Sequence, residues 1–234
     1  NSTPAPTTAA PAKGWEFDIV PYIWGSGLNG NVKIGRVPTQ TIDASFEDIL
    51  DHLGVAPMGA FEARNGRWGV LVDAIYIRLD DTVSGSGASP GEIDVSMTQQ
   101  LYAAFLTYRF YEGNKSAVEF AWGMRNYQLD NDLEVVSGIA QGLAASADEN
   151  WWDWLVGVRY IGRPSPRWSL SAFADLGGGG SHLAWEAIGI ADFAFNKTVS
   201  LAFGYRYLHV DFEQTDFLYD ASMQGPFVGV GFHW

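Results

Sequence analysis

The chain has no cysteine, which excludes disulfides and thiolate metal centres and fits an oxidising compartment. Histidine is nearly as scarce. Four imidazoles (His52, His182, His209 and His233) are scattered along 234 residues, so no cluster with transition-metal spacing exists and no cofactor or metal is expected. Positive charge is also short, with 14 Lys and Arg against 27 Asp and Glu and a formal net charge of −13. A nucleic-acid surface needs the opposite balance. No run of about 18 apolar residues occurs, so a transmembrane helix is excluded. Spanning strands leave no such run and are not excluded. The tetraglycine at 177–180 is followed by no Lys-Ser/Thr and reads as a turn, not a phosphate loop.

What is present is glycine (27 residues), aromatic side chains (15%) and few charges (18%), in a length that suits one barrel. Residues 1–14, "NSTPAPTTAAPAKG", are a Pro/Thr/Ala leader unable to bury a core. They show no charged segment followed by an apolar one, so a secretory signal is expected to have been removed already. The ordered domain is expected over 15–234.

From Trp15 onward the chain alternates. In "AVEFAWGMR", Val118, Phe120, Trp122 and Met124 oppose Glu119, Ala121, Gly123 and Arg125. In "VSLAFGYRY", Val199, Leu201, Phe203, Tyr205 and Tyr207 oppose Ser200, Ala202, Gly204 and Arg206. The same period of two runs through "RWGVLVDAIY", "WWDWLVGVRY", "RWSLSAFADL" and the final "GPFVGVGFHW", as strands require. "AIGIADFAF" is the weak case, because Ile188 and Ile190 share a side with Asp192. Short polar turns fall at 65–66, 112–116, 163–167 and 196–198, and longer connections near 26–54, 81–92, 131–149, 177–182 and 213–219. The count is ten antiparallel strands, with eight and twelve as alternatives. Both termini lie on the short-turn side, and the fold class is all-β, a closed transmembrane β-barrel.

A soluble barrel would use the same alternation with its apolar face inward. Three features favour the membrane. The polar faces mix charges with Gly, Ala and Ser, which suits a crowded interior. Aromatics such as Trp15, Trp68, Phe110, Trp152, Trp168 and Trp234 cluster near strand ends, as interfacial girdles do. The third feature is the C-terminal pattern of Val228, Val230, Phe232 and Trp234.

That pattern resembles the C-terminal signal of Gram-negative outer-membrane β-barrel proteins. "WEFDIVPYIWGSGLNGNV", "EARNGRWG" and "GYRYL" also resemble small porin-like or OmpA-like proteobacterial barrels. The resemblance implies an outer-membrane location and surrounding lipid as a partner. It also implies recognition of the last strand by the barrel-assembly machinery, with short turns in the periplasm and long loops outside. An accessory role in a larger envelope complex is the remaining partner expectation.

Lys13, Arg64, Arg67, Lys115, Arg163, Arg167 and Lys197 gather near the short turns, and most of the acid lies in the long connections. The inward faces are expected to carry Glu62, Arg64, Asp73, Arg109, Glu119, Arg125, Asp153, Arg159, Asp175 and Arg206. In a small barrel such charges must pair or hold water. The two readings are a salt-bridged plug in a closed structural barrel and a narrow passive channel for ions or small solutes. "SFEDILDHLG" places Phe46, Ile49, Leu50 and Leu53 at helical spacing between Ser45 and Gly54, so a short amphipathic helix is expected. The segment 137–147 is a further candidate to fold over the opening. No catalytic residue is assigned and the chain is expected not to be an enzyme. The alternative is a rim-active lipid hydrolase or protease using His182, His209 or Asp211.

Overall fold

The computed structural model describes residues 14–34, 39–44, 47, 53–85, 91–135, 144–214 and 217–234. Strand β1 (Trp15–Trp24) continues into β2 (Gly27–Ile34) after a break at Gly25-Ser26. The returning stave is built from β3 (Gln40–Ala44), β4 (Leu53–Val55) and β5 (Met58–Asn65). Eight unbroken staves follow: β6 (Trp68–Gly85), β7 (Gly91–Glu112), β8 (Ser116–Val135), β9 (Ala144–Ser165), β10 (Trp168–Gly179), β11 (Leu183–Ala194), β12 (Val199–Gln214) and β13 (Phe217–His233). Each pairs antiparallel with its neighbours, and β1 closes on β13, giving a ten-stave barrel. Closure removes the free edges that would otherwise be left without partners in lipid.

The turns are local chemistry. Gly66 takes a positive φ of 59° in the Asn-Gly turn between β5 and β6, where a side chain would be strained. Asn196 folds its Oδ1 back to accept from the amides of Thr198 (2.8 Å) and Val199 (2.9 Å) between β11 and β12, an Asx turn. At the seam the amide of Phe17 donates to the Trp234 carbonyl (3.0 Å), and that of Trp234 donates to Phe17 (3.1 Å). Where β1 breaks, a Cβ on Gly225 would lie 1.8 Å from the Gly25 carbonyl oxygen, so the close approach requires glycine.

The staves overrun the expected connections. β7 and β9 are 22 residues long, against roughly 9–11 needed to cross a bilayer. Of the segments expected as long loops, residues 81–85, 91–92, 131–135, 144–149, 177–179, 213–214 and 217–219 are strand. Pairing costs nothing to extend, because a closed barrel satisfies its backbone in water as well as in lipid. The expected helix fares differently at its two ends. Glu47 is helical, but Leu53 and Gly54 belong to β4 and pair with β6. Its other residues lie outside the described ones, as do residues 1–13 of the leader and 137–143.

Polarity inverts along the staves. On β12 the short-turn half points Leu201, Phe203 and Tyr205 outward and Ser200 and Arg206 inward. Beyond Tyr207 the order reverses: Leu208, Val210 and Phe212 are buried, while His209, Asp211 and Glu213 face out. β8 switches in the same way after Arg125, with Tyr127 and Leu129 inside and Gln128 outside. The short-turn half thus wears an apolar belt, with Ile23, Val70, Val156 and Leu170 exposed. The far half is built like a soluble barrel around an apolar core.

That core fills the cross-section. Trp151 stacks on Phe212 with ring centroids 3.9 Å apart and on Tyr127 at 5.0 Å, and Phe217 packs against Phe212 at 5.9 Å. Trp24, Met58, Ile75, Leu101, Phe173, Ala184 and Met223 complete it, so every one of the ten staves contributes a buried apolar side chain. The expected inward charges gather mainly in the short-turn half, alongside apolar wall.

Candidate functional site

All ten charged side chains expected inside face the lumen, and nine of them gather into two networks. In the first, Glu119 is fully buried. Its Oε1 meets Arg64 (2.8 Å) and Arg109 (2.8 Å), and its Oε2 accepts from Arg159 Nε (2.8 Å). Arg159 also grips both oxygens of Glu62 at 2.7 Å, and Glu62 holds Arg64 at 2.7 Å. Glu112, not anticipated from the sequence, adds a half-exposed carboxylate 3.3 Å from Arg109, so three arginines face three glutamates.

The second network is centred on a residue that the sequence did not single out. Glu186 Oε2 lies 2.6 Å from Arg206 and 3.2 Å from Arg125. Arg206 also reaches Asp73 (2.8 Å), and Arg125 reaches Asp175 (2.9 Å). Tyr22 donates to Asp73 at 2.7 Å and accepts from Arg206 at 3.0 Å, and the Arg206 guanidinium sits 5.1 Å from the Trp24 ring. Two arginines here face three carboxylates. Asp153, the tenth residue, joins neither network; it accepts from the Ser181 amide at 2.7 Å. Among the described residues, four buried side-chain atoms have no protein partner: Arg64 Nη1, Arg125 Nε, Asp153 Oδ2 and Asp175 Oδ1.

Between the second network and the short turns, with Glu62 and Arg159 of the first network in its wall, the lumen opens into a cavity of about 260 Å³. Val20, Leu71, Phe105, Phe173, Ile188, Ile190 and Phe227 supply apolar wall, and Asp18, Asp192 and His233 lie in the same lining. The inward pair Ile188 and Ile190, which weakened the strand pattern, is cavity wall. That is why the alternation fails there and why Glu186 and Asp192 on the same face were not counted among the inward charges.

A hydrogen-bonded chain crosses the barrel seam at this level. His233 Nδ1 meets Asp18 on the first strand, His233 Nε2 lies 2.8 Å from Ser200 Oγ, and Ser200 donates to Asp192 at 2.7 Å. The order Asp–His–Ser is that of a nucleophilic triad. The chemistry differs, because the Ser200 proton is committed to a second carboxylate and Ser200 has no exposed surface. The set is a charge-assisted chain. One signal for it was legible: His233 breaks an inward face otherwise carrying Gly229 and Gly231.

At the far rim, the hydroxyl of Ser181 accepts from Trp151 Nε1 (2.8 Å), and His182 lies 3.9 Å from Asp211. On the outer wall, His209 Nδ1 is 3.0 Å from Ser222 Oγ, which also accepts from Tyr207 at 2.9 Å, and His209 Nε2 is 3.9 Å from Asp220. The C-terminal Val228, Val230, Phe232 and Trp234 all face outward and are exposed.

No protein-family model and no curated protein matches the chain. Solved structures do. The outer membrane protease OmpT from Escherichia coli superposes with a TM-score of 0.66 at 6% identity, covering 97% of this chain and 99% of that one. The translocator domain of autotransporter NalP from Neisseria meningitidis gives 0.51 at 16% identity, covering 94% and 88%. Likeness at these identities shows the fold.

Proposed function

The chain has the fold of the Gram-negative outer-membrane β-barrels, and we propose that it is a closed, non-conducting member that does no catalysis. The observation that carries this reading is the apolar core of the far half. Ions cross a pore through water or through polar groups replacing it. Here Trp151, Phe212, Tyr127 and Phe217 are stacked, and Ile75, Leu208 and Val210 have no exposed surface. A packed interior of this kind resists water as a domain core does. Nine of the ten expected lumen charges are paired and brace the wall from within. Short turns in the periplasm then leave the cavity facing the periplasm, and the projecting half presents Asp148, Asp211, Glu213 and Asp220 to the exterior. Efflux from liposomes tests the reading. Reconstituted protein should release trapped small solutes no faster than protein-free vesicles, and release scaling with protein content would overturn closure.

A second reading has one observation in its favour, the Ser222–His209–Asp220 set beside the outer aromatic girdle. Ser222 Oγ lies 3.0 Å from His209 Nδ1 there, the spacing of a nucleophile and its base. The long 3.9 Å approach of Asp220 and the Tyr207 hydroxyl donating into Ser222 weigh against it. Ester hydrolysis by the pure barrel, abolished in Ser222→Ala, would establish it.

A further inference from the structure

The cavity beside the charge networks has unequal polar walls. Each arginine in its lining is already held by two carboxylates: Arg125 by Asp175 and Glu186, Arg159 by Glu62 and Glu119, Arg206 by Asp73 and Glu186. Asp18 and Asp192 differ. Neither meets a Lys or Arg among the described residues; Asp18 meets the His233 ring, and Asp192 accepts from Ser200. Asp18 and His233 are both partly open, with side chains 39% and 31% exposed. They sit at the short-turn end, close to the first residue of β1 and the last of β13, so the cavity's mouth is acidic. Its body is apolar. At its inner end Arg125, 1% exposed, carries a buried Nε that no protein acceptor meets. The cavity thus offers carboxylates to a donor at the mouth, hydrocarbon along the wall, and one unspent donor at the head.

We propose that this cavity binds a small organic cation, a primary amine on an aromatic or short aliphatic body that carries a hydrogen-bond acceptor at its other end. Size agrees: a dry cavity of about 150 Å³ accepts benzene, and about 260 Å³ leaves room for a ring with a short arm. The ammonium would sit beside Asp18 and Asp192, carboxylates that meet no Lys or Arg among the described residues and that can make charge-assisted hydrogen bonds to it. An anionic ligand finds no unpaired guanidinium here. Entry from the short-turn side rests on the closure proposed above; occupancy does not.

Calorimetric titration of the folded barrel in detergent tests this, with tyramine and 3-(4-hydroxyphenyl)propionate as probes. The two share ring and hydroxyl and differ in the charge of the arm. Tyramine should bind at one site, and the carboxylate at least about tenfold more weakly. Asp18→Asn and Asp192→Asn keep the acceptors for His233 and Ser200 while removing charge, and each should weaken tyramine about tenfold. Ala202→Phe, which fills the wall, should abolish binding in a barrel that still migrates as a folded species. Absence of tyramine binding to the wild type, equal affinity for the two probes, or undiminished binding to Ala202→Phe would each overturn the proposal. Solute efflux with tyramine binding intact would overturn closure alone.

Discussion

Replacing Glu119 by Gln is predicted to be the most damaging single charge change in the lumen. The side chain is fully buried, with Arg64 and Arg109 on one oxygen at 2.8 Å and Arg159 Nε on the other at 2.8 Å. Gln keeps the shape but offers one acceptor and turns an NH₂ toward guanidinium donors. Arg64 and Arg159 would then share Glu62 as their one carboxylate in this network, and Arg109 would keep only Glu112, whose side chain is 39% exposed. Removing one partner of a buried ion pair costs about 3–5 kcal/mol, because the other charge stays desolvated. With a urea slope of about 2 kcal/mol/M, the midpoint should fall by about 2 M. Equilibrium unfolding in detergent, followed by Trp fluorescence and heat-modifiable migration, reads this directly. Glu112→Gln should stay within about 0.5 kcal/mol of wild type, as exposed substitutions do. Adding Arg109→Met to Glu119→Gln should recover at least about 1 kcal/mol by restoring charge balance. A loss below about 1 kcal/mol in Glu119→Gln, or no recovery in the double variant, would refute the view that pairing holds this wall together.

Three further changes probe other parts of the structure. Val228→Arg places a charge on the outward face of β13 and should cost about 2–4 kcal/mol near the bilayer midplane, measured by unfolding in lipid vesicles; a neutral result would mean the face does not meet lipid. Trp151→Ala removes the ring between Tyr127 and Phe212 and should destabilise by about 3–5 kcal/mol, read as a lowered urea midpoint. Deleting Trp234 removes its two backbone hydrogen bonds to Phe17 and the stacked contact between the rings. It should lower the yield of folded protein in membranes, with unfolded chain accumulating instead.

The facing of the ten lumen charges was legible because a period of two leaves a residue such as Arg125 or Arg159 no choice of side once its neighbours are known. The hairpin at Asn65-Gly66 was legible for a similar reason, since its chemistry is local. Three features were not read. The far-half core required noticing that the alternation of β12 changes phase between Tyr207 and Leu208; one assumed phase along each strand hides it. Glu186 and Asp192 share a face with Ile188 and Ile190, so a cavity with apolar walls disguised two carboxylates as pattern noise. The chain through His233, Ser200, Asp18 and Asp192 joins four staves from both ends of the sequence, and no spacing along the chain announces such a meeting.

Single-channel recording in planar bilayers tests the central claim most directly. Folded wild-type protein is predicted to insert and show no resolved current steps, because the stacked core around Trp151 and Phe212 leaves no water path through the far half. Reproducible unitary steps from the same preparation, abolished by heat denaturation, would contradict a closed barrel.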